Sequence, residues 1–200
     1  MRHWPGAILT IVALRINKTY LRMYYSHSNT LIYTDIHRMT NYFELLGLPE
    51  SFLIKEDLLK QRLAELTTEC EADSRDAILI QHAYKTLIDP MKRTGYILAS
   101  HDLLNEGAKP QLPTDFLSQV MDLEERLMNV NDSDKLGKIA EETASIENNL
   151  NEDLQCLAAD YEELNNTAKE DRLIKIAEIY YEQKYLLRIK ESLNTFAARF

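Results

Sequence analysis

An all-α fold is predicted by three observations. Gly and Pro number only 5 each in 200 residues, so little interrupts a helix. From residue 39 onward Ala, Leu, Glu and Lys dominate, and these residues lose least on entering a helix. Apolar residues also recur at steps of three, four and seven, the period of one buried helix face. At 45% hydrophobic and 28% charged, the chain has an ordinary soluble composition with room for one core or two small ones.

Residues 1–38 stand apart. They carry Arg2, Arg15, Lys18, Arg22 and Arg38 against Asp35 alone, +4 within a chain total of −9. The apolar run from Ala7 to Leu14 is too short to span a bilayer. Three readings stay open for this segment: a start assigned ahead of Met39, a targeting segment, or a true extension. A weak secretion-signal look lacks a small-residue cleavage site, and the basic, acid-poor composition allows a mitochondrial transit peptide. His3, His27 and His37 lie here at irregular spacing and make no metal motif.

A short helix in NYFELLGLP comes next, with Phe43 and Leu46 on one face and Gly47 and Pro49 ending it. Leu59, Leu63, Leu66 and Cys70 then form one stripe on a second helix. Asp73 or Ser74 caps a third, whose stripe is Ile80, Ala83 or Tyr84, and Leu87. Asp89 and Pro90 end it and start a fourth, with Asp89 as cap and Pro90 in the first turn. Met91, Gly95 and Leu98 mark its inner face. The breaker-rich stretch HDLLNEGAKPQLP is the best boundary in the chain.

Thr114 is expected to cap a helix running to Met128. Phe116, Val120, Leu123 and Leu127 form its core stripe. Leu117, Met121 and Met128 sit about a quarter-turn to one side, with Glu125 and Asp122 further round. A long helix follows, with Leu136, Ile139, Ile146, Leu150, Leu154, Leu157, Tyr161 and Leu164 inward, broken by Asn165, Asn166 and Thr167. The last helix carries Ile176, Ile179, Leu186, Ile189, Leu193, Phe196 and Phe200. Two long helices joined by a short turn lie antiparallel, and the helix before them completes a three-helix unit.

The charge left for residues 39–200 is −13. That argues against nucleic acid or an anionic membrane as partner and suits a basic protein. Cys70 and Cys156 have no CxxC partner or neighbouring His, so neither a disulfide framework nor a metal site is expected. No Gly-rich phosphate loop, nucleophile motif or paired catalytic carboxylates stand out, and no enzyme activity or cofactor is expected. Glu141-Glu142 and Glu162-Glu163 read as solvated helix faces.

In two blocks the chain resembles the HscB family, the J-domain co-chaperones of iron–sulfur cluster assembly. One is YFELLGLP at 42–49. The other is QHAYKTLIDPMKRTGYIL at 81–98, similar to the family's NxAYxTLxxPxxRAxYLL. The resemblance covers about residues 40–200. It implies an L-shaped all-α molecule: a J-domain-like helical hairpin at 39–104, a linker at 105–113 and a C-terminal scaffold-binding domain at 114–200. It implies two partners, an HscA/DnaK-class ATPase chaperone and an IscU-like scaffold protein. The compartment would be the bacterial cytoplasm if Met39 is the start, or the mitochondrial matrix if residues 1–38 are a transit peptide.

Site residues follow from the same resemblance. The family grips the scaffold with a Leu/Met-plus-acid patch, which falls on Leu117, Met121, Asp122 and Glu125, with Ser118 where a family Met stands. An aromatic of the last helix joins the patch, and Tyr181 is the nearest match. For chaperone contact the matching residues are Arg62 and Asp73. The family's His-Pro-Asp falls on Glu71, Ala72 and Asp73, so only the last matches, and most of the basic loop after it is absent. The second helix, basic in the family, carries Lys55, Lys60 and Arg62 against Glu56, Asp57, Glu65, Glu69 and Glu71, a balance of −2.

Overall fold

The computed structural model describes residues 41–69, 74–104 and 112–198. Among them are seven α-helices and no strand: α1 (Tyr42–Leu45), α2 (Glu56–Glu69), α3 (Arg75–Ile88), α4 (Pro90–Ser100), α5 (Thr114–Met128), α6 (Ser133–Ala158) and α7 (Asn166–Ala197). The described residues adopt the predicted all-α fold. Cys70, Glu71, Ala72, Asp73 and Phe200, and the extension before residue 41, lie outside the described residues.

Local chemistry sets most helix ends. Asn41 Oδ1 accepts from the Phe43 and Glu44 amides at the start of α1. Gly47 closes that helix at φ +66°. There the Gly47 amide donates to Glu44 O and the Leu48 amide to Phe43 O, satisfying two orphan carbonyls at a position where a side chain would be strained. Ser74 Oγ caps α3 through the Ala77 amide, and Asp89 Oδ1 caps α4 through Met91 and Lys92. Asp132 and Asn165 do the same for α6 and α7. Each such cap is worth about 1 kcal/mol. One expectation fails: Thr114 is the first helical residue of α5, Pro113 holds the cap position, and no side chain accepts there.

Helix α6 also stops earlier than predicted. It ends at Ala158 rather than continuing to Leu164. Arg172 reaches back from α7 to the Leu157 carbonyl and the Asp160 carboxylate, satisfying the exposed end of α6. Beyond it, Tyr161 lies in a 3-10 turn, buried edge-on against Phe52 at 5.0 Å. Lys190 with Glu147, Gln183 with Asn151, and Arg172 with Asp160 pair α6 to α7 in antiparallel order.

Two cores result. The first gathers Phe43, Leu46, Leu59, Ala83, Leu87, Ile97 and Leu98 from α1–α4, and it is completed by Ala158, Tyr161, Leu173 and Ile176 from the turn end of the α6–α7 pair. The second joins Phe116, Val120, Leu123 and Leu127 of α5 to Leu136, Ile139 and Leu150 of α6 and Leu186, Ile189 and Leu193 of α7. A fully buried leucine or phenylalanine contributes about 2 kcal/mol.

Helix α7 serves both cores with different faces. Leu173, Ile176, Ala177 and Tyr180 pack into the first core; Ile179, Leu186, Ile189 and Leu193 pack into the second. At roughly 100° per residue the two sets point about 145° apart. The apolar positions read for this helix therefore divide between two faces, with the change of face near Ile179.

Candidate functional site

Helix α5 owes its working face to its four core residues. Phe116, Val120, Leu123 and Leu127 are buried, which fixes the rotation of the helix and turns the adjoining strip outward. On that strip Leu117 is half-buried. Met121 is 63% exposed and Met128 74% exposed. Ser118, Met121, Asp122, Glu124, Glu125, Met128 and Asn129 line one shallow, open depression. Two exposed thioethers on one side of the helix, two turns apart among carboxylates, have no role in either core. Apolar side chains rimmed by charge are what a protein-binding surface requires, because burial supplies affinity and charge supplies register.

The carboxylates along this strip differ. Asp122 accepts from Arg126 at 2.9 Å, and Arg126 also pairs with Glu142 of α6. These two bonds, Glu142 first, raise the Arg126 pKa above its ordinary value. Asp122 is thus held in place by its own helix. Glu124 accepts from Tyr185 Oη of α7 at 3.3 Å. Burial, then the Glu124 charge, holds the Tyr185 phenol above its ordinary range. Glu125 is exposed; its backbone carbonyl accepts from Asn129, while its carboxylate has no hydrogen bond or ion pair among the described residues. It is the acid of this strip that offers an unshared charge to a basic partner.

Tyr181 does not share this setting. It is half-buried, and its ring packs edge-on against Tyr180 at 5.8 Å. The aromatic of α7 that meets α5 is Tyr185, edge-on to Phe116 at 6.3 Å and bonded to Glu124. The structure brings Leu117, Met121, Asp122 and Glu125 together on one helix with Met128, as the helical spacing predicts, and it adds Tyr185 against Glu124 of the same helix. Tyr185 lies one turn beyond Tyr181 on the same side of α7, so an i, i+4 extension of the aromatic position would have reached it.

The residues matched for chaperone contact are far less distinctive. Arg62 donates to Glu65 at 2.8 Å and Lys60 to Glu56 at 3.2 Å, both exposed pairs within α2. Such pairs are worth only a few tenths of a kcal/mol each, but they tie both cations of α2 to acids of the same helix. Asp73 lies outside the described residues. Between α2 and α3 runs a second open depression, lined by Leu63, Ala64, Thr67, Gln81 and Tyr84, with Lys60 and Lys85 beside them.

Among the described residues no helix is long and apolar enough to cross a membrane, and no group of three His, Cys, Asp or Glu stands close enough to hold a metal ion. The comparisons bear on the same helices. Residues 112–194, which include α5, α6 and most of α7, match a family described as the HSCB C-terminal oligomerisation domain. A co-chaperone protein HscB homolog of Aliivibrio fischeri is 37% identical over a match covering 44% of this chain and 59% of that protein. The homolog of Vibrio atlanticus is 33% identical over 46% of this chain and 63% of its own length. The match thus spans less than two thirds of these relatives. Human co-chaperone protein HscB has a similar fold, with a TM-score of 0.63 at 19% identity, covering 81% of this chain and 84% of that one. Residues 112–194 thus match the HscB C-terminal family, and the chain is similar in sequence to HscB co-chaperone homologs and in fold to human HscB.

Proposed function

We propose that this protein is a co-chaperone of iron–sulfur cluster assembly. It holds an IscU-like scaffold on helix α5 and presents it to an HscA/DnaK-class chaperone. The observation that carries this is the strip of Leu117, Met121 and Met128 beside Glu125. It is an apolar surface left uncovered by both cores, within the domain matched to HscB. The scaffold's contribution would be an apolar patch with a basic residue placed to meet Glu125. Neither half of the reaction makes this chain an enzyme; it supplies proximity and, at most, activates the ATPase of its partner.

The test is a binding titration of an IscU-like scaffold against the full chain and the Leu117→Ala, Met121→Ala double variant. Both side chains lie outside the buried set, so the variant is expected to keep its helix content and melting temperature. Its affinity is expected to fall about tenfold or more, as for loss of a central apolar contact. Equal affinity in the two proteins would refute the assignment of the strip. A narrower reading, scaffold binding without chaperone activation, is favoured by the α2 cations being tied to acids of their own helix and by Glu71-Ala72 standing where the family has His-Pro.

A further inference from the structure

We infer that Met121 and Met128 are an oxidation-sensitive pair through which a hydroperoxide switches off the binding surface of α5. The inference rests on the reading of that strip as the scaffold-gripping surface. Both thioethers stand in water, 63% and 74% exposed, in a single depression. They supply the most exposed apolar atoms of the strip, since Leu117 is half-buried. Met91, by contrast, is half-buried in α4 and serves as an internal reference.

The chemistry is an oxygen transfer. A sulfur lone pair attacks the terminal oxygen of the hydroperoxide and an S–O bond forms. The O–O bond breaks, and the leaving oxygen takes a proton to depart as water or alcohol. Sulfur loses two electrons and the peroxide gains them. The product sulfoxide is polar and chiral, and it keeps its hydration shell where the thioether gave up water on binding. Exposure decides which methionines react, and because neither sulfur supports a core, the fold is unaffected. The change is reversible by methionine sulfoxide reduction.

The full chain is treated with dilute hydrogen peroxide, quenched, and incubated with dithiothreitol so that exposed Cys156 returns to the thiol while sulfoxides persist. Peptide mass spectrometry is expected to find added oxygen at Met121 and Met128 well before Met91. Affinity for an IscU-like scaffold is expected to drop about tenfold with an unchanged circular dichroism spectrum, and to return after methionine sulfoxide reductase treatment. In a Met121→Leu, Met128→Leu variant, peroxide is expected to leave the binding at that variant's own starting level. Sulfoxide at both positions with undiminished scaffold binding would overturn the inference, as would oxidation of Met91 at the same rate. Failure of the untreated chain to bind scaffold would instead strike the underlying reading of α5, and is seen before any peroxide is added.

Discussion

Arg93 shows how a motif residue works through packing alone. It is buried in α4, where Nε donates to the Phe52 carbonyl at 3.0 Å and Nη1 donates to Leu87 O at the end of α3. Burial lowers its pKa, only partly countered by Asp89. The RxxY part of the matched block was legible as a motif, but its reason was not: one planar fork satisfies two carbonyls that no helix can serve. Arg93→Met is expected to cost about 2–4 kcal/mol in urea denaturation because both carbonyls lose their donor, and Arg93→Lys should recover little of it. Glu182 is a second buried polar residue, 8% exposed on the second-core face of α7. Burial first, then the charges of Glu178 and Asp153, raise its carboxyl above the ordinary range. The folded chain therefore keeps that proton to higher pH than the unfolded chain does. Its contribution to stability is fully present below the ordinary carboxylate range and is lost as pH rises through the raised value. Glu182→Gln should raise the melting temperature at pH 7 by a few degrees, equivalent to about 1 kcal/mol. That gain should shrink as the pH falls towards about 4. A variant no more stable than the parent at pH 7 would contradict the electrostatic account.

At the scale of elements, the two-faced helix α7 ties the cores together, and a glycine lets it approach. A Cβ on Gly95 of α4 would stand 2.7 Å from Tyr180 Oη and 3.1 Å from its Cζ. The tyrosine ring packs against the first core and is too rigid to yield cheaply. Gly95→Ala is expected to lower stability by about 1–3 kcal/mol despite alanine's better helix propensity. Tyr180→Phe should restore part of that loss by removing the nearest atom, and no recovery would mean that the strain lies elsewhere. Helices α1 to α5 were legible because each keeps one apolar face against one core, although at α5 the stripe alone served, since Pro113 and not Thr114 holds its cap position. Helix α7 was not, because its face changes midway and a single average stripe blurs both. The end of α6 was missed for a related reason. Tyr161 and Leu164 continue the apolar rhythm, but Arg172 stops the helix and Tyr161 packs sideways onto Phe52. Thr143 sits 2% exposed on the α6 core face, its hydroxyl bonded to Ile139 O; a polar residue at a core position is invisible to an apolar pattern.

On the scale of the whole molecule, sequence pattern alone supported an all-helical protein with an acidic body and no catalytic constellation. The candidate surface was legible only in part. Helical spacing placed Leu117, Met121 and Met128 beside a core stripe, yet a wide stripe and a binding strip look alike until burial separates them. The role of Tyr185 needed three dimensions, because its partners Phe116 and Glu124 come from another helix. The proposed function assigns the scaffold to α5 and leaves the α2–α3 hairpin as the surface for the chaperone, so that this chain would couple one partner to the other. The most direct measurement is the steady-state ATPase rate of an HscA-class chaperone given the scaffold alone, the full chain alone, and both together. The account predicts that chain and scaffold together raise the rate well above either addition alone, and that the Leu117→Ala, Met121→Ala chain loses this gain. A preparation that binds the scaffold tightly yet leaves the ATPase rate unchanged would contradict it, and would reduce the α2–α3 hairpin to a structural support for the scaffold-binding helices.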